Sequence, residues 1–230
     1  MEHRGASGYE SNTGDGAGIL LQIPHDYLDI KCAELGFNLP EKGDYGMAMT
    51  FMPKEDSMRT FCDLTFVQVA NSFGFEIIGT REVPTDNSDI GGSAKATEPN
   101  IAQKFLVSTD GLKGKALEKK LYIFRNYLTH HIYKQESLLE EWFYICSCSS
   151  RTVIYKGQLT SDQVRNYFED LQDGRATSAI ALVHSRFSTN TVPKWRLAQP
   201  FRAIAHNGEI NTIQGNLNWW RAKEKLFESD

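Results

Sequence analysis

Apolar side chains recur at helical intervals over Leu117, Leu121, Phe124, Leu128 and Ile132, and this stripe predicts an amphipathic helix from Lys115 to Lys134. A second helix is expected from Asp56 to Phe73, with Phe61 and Val69 inward and Gly74 near its end. Thr160-Ser-Asp-Gln163 has capping-box spacing, and Val164, Tyr167, Phe168 and Leu171 follow at helical intervals, so a third helix should end before Gly174. Asn211 with Gln214 opens a last helix in which Ile213, Leu217 and Trp220 share one face. Of the Trp219-Trp220 pair, one ring is expected in the core and one at an edge.

The strand signals alternate with these helices. Gly14 to Ile23 reads as a glycine loop entering a strand, Tyr45 to Met52 as a short strand closed by Pro53, and Phe75 to Val83 as the return after the second helix. Ser178-Ala-Ile-Ala-Leu-Val183 is long and apolar enough for one buried strand, and Phe201-Arg-Ala-Ile-Ala205 reads as the next. Between Pro84 and Pro99, Thr, Asp, Asn, Ser and Gly dominate, which predicts a surface loop. No repeat or linker interrupts the pattern, so residues 1–230 read as one mixed α and β domain.

Charge narrows the function classes. A net charge of −4 gives no basic footprint for nucleic acid, and no aromatic and basic stripe is present. The apolar runs stop well short of the roughly 18 residues a membrane span needs, and the start lacks the basic and apolar regions of a signal peptide, so a cytoplasmic protein is expected. Cys32 and Cys62 fall in helical surroundings. Cys146 and Cys148 alternate along a strand and should face the same side of it; without a second Cys/His pair at ligand spacing, a structural role is favoured over zinc or a cluster. His130-His131, in the long helix, reads as surface. The Gly14-Asp15-Gly16-Ala17-Gly18 run lacks both the Gly-Lys-Ser/Thr ending of a phosphate loop and the third glycine of the dinucleotide fingerprint, and it enters a strand instead of following one.

Candidate chemistry concentrates in one stretch. His184-Ser-Arg186-Phe-Ser-Thr189-Asn190-Thr191 is followed by Gln199-Pro-Phe-Arg202 and then His206-Asn207-Gly208-Glu209-Ile210-Asn211. Arg186 would emerge where a strand meets its loop. Asn207-Gly208 is a strong turn dipeptide that leaves the Gly208 N–H and the Asn207 side-chain amide side by side at a strand end. Two such donors make an oxyanion hole for acyl transfer, although Asn-Gly alone is usually only a turn, and an arginine alone usually a surface ion-pair residue.

This block closely resembles the glutaminase, or class II glutamine amidotransferase, domain of glutamate synthase large chains. His3-Arg4-Gly5-Ala6, Thr13-Gly-Asp-Gly-Ala-Gly-Ile-Leu-Leu-Gln22, Arg81-Glu-Val-Pro84 with Asp86-Asn-Ser88, and Ser149-Ser-Arg-Thr-Val-Ile-Tyr-Lys-Gly157 extend the resemblance over nearly the whole chain. The resemblance implies an α+β fold, an αββα sandwich of the N-terminal nucleophile hydrolase type. It implies that Arg186 grips the α-carboxylate of glutamine, which a guanidinium fork suits, that Asn207 and Gly208 form the oxyanion hole, and that Arg4 and Gly14-Asp15-Gly16 lie near the substrate. The family's nucleophile is an N-terminal cysteine whose own α-amine is the base. Here the sequence begins Met1-Glu2-His3 and holds no cysteine before Cys32, so the cysteine strand, the helix after it and the ammonium-binding aspartate beyond Asp230 are expected to be missing, leaving the sandwich incomplete with an open apolar groove. Glutamine, the synthase domains of the same polypeptide, and an electron-donating small subunit or ferredoxin are the implied partners. FMN and an iron–sulfur cluster are implied for downstream domains, and no cofactor or metal for this one. The alternative is a catalytically inert module that binds glutamine or packs against the synthase body.

Overall fold

The computed structural model describes residues 10, 12–185, 192–202, 204 and 213–226. In chain order the elements are β1 (Ala17–Gln22), α1 (His25–Glu34), β2 (Gly46–Met52), α2 (Asp56–Ser72), β3 (Phe75–Glu82), α3 (Gly92–Ala96), β4 (Asn100–Ser108), α4 (Gly114–Gln135), α5 (Leu139–Trp142), β5 (Tyr144–Ser149), β6 (Thr152–Gly157), α6 (Ser161–Tyr167), β7 (Ala181–His184) and α7 (Gln214–Lys223). The strands form two antiparallel sheets among the described residues, one ordered β3-β4-β2-β5 and the other β6-β1-β7.

Local sequence explains most of these elements. All five stripe residues of α4, Leu117 to Ile132, are fully buried. With Cys62, Phe66, Val69 and Ala70 of α2 they cover one face of the four-stranded sheet, packing on Ala48, Met52, Phe75, Leu106 and Ile145. At the start of α2 the Glu55 carboxylate accepts from the backbone N–H groups of Ser57 (3.0 Å) and Met58 (2.7 Å), and Gly74 follows the helix at φ +65°, where a side chain would be strained. The capping box at Thr160 and Gln163 forms as its spacing predicts. A second core joins the two sheets, bringing Met47, Met49, Phe51 and Phe105 against Leu20, Val153, Ile154 and Tyr155, with α1 and α6 closing it. This is an αββα arrangement in the making: helices, sheet, sheet, and α6 beside the three-stranded sheet.

At the middle of that second core lies a polar knot. Asp170, fully buried, takes two hydrogen bonds from Arg81 of β3 (2.6 and 2.9 Å), one from Tyr27 of α1 (2.8 Å) and one from Tyr155 of β6 (2.9 Å), and Arg81 also donates to Gln103 of β4 (2.9 Å). Burial, aided by the Asp170 carboxylate, pushes both phenols well above their usual range. Burial works to lower the Arg81 pKa, but the Asp170 bonds outweigh it and raise it.

Five expectations need correction. Cys146 and Cys148 do not share a face: the register between β2 and β5 slips at Met49/Thr50, a bulge that leaves Cys146 unopposed, so Cys146 joins the intersheet core while Cys148 packs beneath the helices. The segment from Pro84 to Pro99 is no mere surface loop, because Ile90, Gly91, Ala94 and Glu98 are buried and α3 forms within it. The strand at Ser178 to Val183 is shorter and more exposed than its composition suggests: β7 begins at Ala181, and Ile180 and Val183 are 59% and 44% exposed. Phe201 to Ala205 does not extend as a strand over its described residues; Phe201 and Ile204 bridge to each other in a turn of their own. Neither ring of Trp219-Trp220 is in the core, with exposures of 69% and 61%, and no residue of α7 is buried.

Candidate functional site

The three-stranded sheet sets three residues in one row. Lys156 of β6 pairs with Gly18 of β1, and Gly18 pairs with His184 of β7. Neighbouring strands lie about 4.8 Å apart, so the backbones at Lys156 and His184 are separated by about 10 Å. Two motif segments converge on this row. One leaves β7 through the buried Ser185 directly into position 186. The other, Trp195 to Arg202, lies against Gly18 and Lys156 and precedes the His206-Asn207-Gly208 motif in sequence.

The second segment is irregular, a 3₁₀ turn over Trp195–Leu197 followed by a cis Gln199-Pro200 bond, so its course is set by side chains and by close backbone packing. Trp195 is buried edge-on to Phe51 (6.2 Å between rings) and its indole N–H donates to the Ala94 carbonyl (3.1 Å). Gly157 makes room for that indole, since a Cβ there would run into the ring. Gly18 does the same for the chain beyond: a Cβ would come within 2.7 Å of the Gln199 and Tyr155 carbonyl oxygens. The Lys156 ammonium donates to the carbonyls of Ala198 (2.7 Å) and Arg196 (3.0 Å) and sits 4.7 Å from the ring centres of both Tyr144 and Phe201. Arg202 donates to the Ile145 carbonyl and lies over Tyr144 at 5.3 Å. Gly18→Ala is therefore expected to destabilise the protein by about 1–3 kcal/mol, because backbone on two sides cannot yield. Urea denaturation checks this; a loss below about 0.5 kcal/mol would mean that the segment does not press on β1.

Electrostatics at this seat are dominated by desolvation. Burial lowers the Lys156 pKa to about 8, with Cys146 working against the shift and the nearby Arg202 charge adding to it. Burial also raises the Tyr144 phenol above its usual range.

Of the residues singled out from the sequence, Arg4, Arg186, Asn207 and Gly208 lie outside the described residues. The structure does show what surrounds their motifs. The loop before β1 is held by Glu10, whose carboxylate accepts from the Thr13 hydroxyl (2.5 Å) and the Ser93 N–H (3.1 Å), and by Gln163, whose amide donates to the Asn12 (2.9 Å) and Asp89 (2.7 Å) carbonyls. Gly14 backs directly onto the Leu159 backbone, so this glycine run serves close packing. Asn87 of the Asp86-Asn-Ser88 motif donates to buried Glu98 (3.1 Å), which also accepts from Lys54 (2.9 Å) and Tyr167 (2.7 Å). Burial works to raise the Glu98 pKa, yet these bonds hold it below the ordinary carboxylate value.

Sequence reasoning missed Lys156, Gly157 and Trp195. A signal existed for the first: a lysine inside the apolar run Val153-Ile-Tyr-Lys-Gly157 breaks the alternation that a half-buried strand should keep. Between β1, β7 and α6 lies a cavity of about 280 Å³, walled by Ala17, Ile19 and Leu21 of β1, Val164 of α6 and Val183 of β7, with Arg165 and His184 among its polar lining.

The family model for class-II glutamine amidotransferases matches residues 1–230. Over 235 residues the chain is 43% identical to glutamate synthase [NADH] of Schizosaccharomyces pombe, covering all of this chain and 11% of that protein. It is 41% identical over 238 residues to the glutamate synthase [NADPH] large chain of Bacillus subtilis, again over the full chain and 15% of the relative. Ferredoxin-dependent glutamate synthase of Spinacia oleracea is 40% identical over 233 residues, 14% of its length. The chain thus spans about one seventh or less of the curated relatives it matches, and with two antiparallel sheets flanked by helices and a match along its whole length it belongs to the class-II glutamine amidotransferases, with the fold of the N-terminal nucleophile hydrolases.

Proposed function

We propose that this domain hydrolyses glutamine to glutamate and ammonia, and that the ammonia aminates 2-oxoglutarate in the synthase part of a glutamate synthase. The observation that carries the reading is that the described flanks of the two motifs, His184-Ser185 before position 186 and Trp195 to Arg202 before position 207, meet on the single row Lys156, Gly18 and His184. In this reading Arg186 holds the substrate carboxylate, with Arg4 nearby, and Asn207 and Gly208 supply the oxyanion hole. The relatives carry NADH, NADPH or ferredoxin in their names, so the electron donor is a small subunit or ferredoxin, and FMN and an iron–sulfur cluster serve the synthase part. Among the described residues no three His, Cys, Asp or Glu side chains gather as a metal site, and no helix is long and apolar enough to cross a membrane.

The nucleophile in this reading is an N-terminal cysteine, and none of the four cysteines of the sequence can replace it. Burial pushes the thiols of Cys32, Cys62 and Cys148 up to about 12 and that of Cys146 to about 11. At pH 8 a thiol of pKa 12 is ionised in only about one molecule in 10⁴. The 230-residue polypeptide alone is therefore expected to release no ammonia from glutamine above background, and an electrophilic glutamine analogue should label no cysteine preferentially. Ammonia assay and mass spectrometry check this; turnover, or labelling of one cysteine, defeats the assignment. The alternative, an inert module, predicts that an enzyme carrying an N-terminal cysteine ahead of this domain is equally silent on glutamine.

A further inference from the structure

A lysine in the core is costly, and an apolar residue of the same length would fill the space between β6 and the 195–202 segment with no charge to desolvate. Lys156 is 1% exposed and sits among other cations: the Arg202 guanidinium shares the Tyr144 ring with it, and Arg125 of α4 lies near enough to feel the Arg202 charge. No carboxylate pairs with it among the described residues. What Lys156 touches instead is main chain. Its two short bonds reach Arg196 and Ala198, at the end of the 3₁₀ turn and one residue before the cis Gln199-Pro200 bond, where no helix or sheet ladder supplies donors. Two rings, Tyr144 from β5 and Phe201 from the segment itself, close over the ammonium at 4.7 Å, which adds cation–π attraction and clamps the segment from both sides. Opposite, Gly18 offers no side chain, so the segment lies close enough to β1 for the lysine to reach it.

We propose that Lys156 is a positioning residue for glutamine hydrolysis: its ammonium ties the carbonyls of Arg196 and Ala198 together and so holds Trp195 to Arg202 in the course that delivers Asn207 and Gly208 to the substrate carbonyl. This rests on the reading of Asn207 and Gly208 as the oxyanion pair. Asn207 follows Arg202 by five positions, a reach of at most about 18 Å, so a segment that wanders by an ångström at Ala198 passes its error forward. Misplacement of that size at a donor is worth up to about 10²-fold in rate.

The test uses the full-length enzyme, with glutamine-dependent and ammonia-dependent glutamate synthesis measured on each form and hydrogen exchange followed over the 195–202 amides. Lys156→Met keeps the stem and removes the donors. It is expected to lower glutamine-dependent kcat by about ten- to 10²-fold with KM within about threefold, to leave ammonia-dependent synthesis at the parent level, and to speed exchange in 195–202 but not in β1. Phe201→Leu, which opens one side of the clamp and leaves the lysine in place, should give a smaller fall of the same kind, and it decides the matter if Lys156→Met does not fold. A glutamine-dependent kcat within twofold of the parent in the folded variants overturns the inference, as does an equal fall in both activities, which marks a purely structural lysine. A parent enzyme that works on ammonia and not on glutamine refutes the functional reading itself, and this inference with it.

Discussion

Asn207→Ala in the full-length enzyme is expected to lower glutamine-dependent kcat by about 10²–10³, or about 2.7–4 kcal/mol, with KM little changed. The asymmetry follows from when the contact is made. The side-chain amide proposed for the oxyanion hole meets negative charge that exists only once the substrate carbonyl has become tetrahedral, so its loss is felt in the transition state and not in binding. Arg186→Lys should behave in the opposite way. A guanidinium grips a carboxylate through two parallel bonds in ground and transition states alike, an ammonium cannot reproduce them, and KM should rise with kcat largely kept. If Asn207 were only a turn former, Asn207→Gly would preserve the turn and the rate; full glutamine-dependent activity in that variant sinks the oxyanion assignment. Ammonia-dependent synthesis on the same variants reports the integrity of the rest of the enzyme, and an equal fall there would assign the damage to the fold.

How far such a site is legible in a sequence depends on whether the forces that shape it are local. The α4 stripe and the Thr160-Gln163 capping box were legible because the cause and the effect lie within a few residues of each other. The face of Cys146 was not, since the bulge that moves it depends on the pairing partner β2, which is nearly a hundred residues away in sequence and leaves no mark on Tyr144-Ile-Cys-Ser-Cys itself. Ser178 to Val183 carried enough apolar residues for a buried strand, but burial needs a neighbour on each side; β7 has β1 on one side and sits at the sheet edge among the described strands. The same reasoning applies to α7: helical spacing puts Ile213, Leu217 and Trp220 on one face, but nothing in the sequence says whether a partner covers it, and all three are exposed. Around the candidate site, the motifs at 184–191 and 206–211 announce chemistry, whereas the seat beside them, Gly18, Lys156, Gly157 and Trp195, comes from three distant parts of the chain, and although Lys156 stands out within its apolar run, the way the four meet is set only by the fold.

Asp170→Ala is expected to cost about 3–5 kcal/mol of folding stability, because it leaves the buried Arg81 charge without its partner. Whole domains are stable by only about 5–15 kcal/mol, so the variant should sit near its unfolding threshold. The carboxylate accepts four bonds, from Tyr27, Tyr155 and twice from Arg81, and through them α1, β3, β6 and the turn at 169–172 meet at one point between the sheets. Removing the cation as well should return part of the loss: Arg81→Met with Asp170→Ala leaves no uncompensated charge, only the Tyr27 and Tyr155 hydroxyls and the Gln103 amide short of partners, at about 1–3 kcal/mol for each group left truly unpaired. Urea denaturation of parent, both single variants and the double variant closes a mutant cycle. A coupling energy near zero would mean that the pair contributes no more than exposed charges do and that the knot is incidental to how the two sheets are joined; strong coupling, with the double variant more stable than Asp170→Ala, is the outcome that the buried geometry requires.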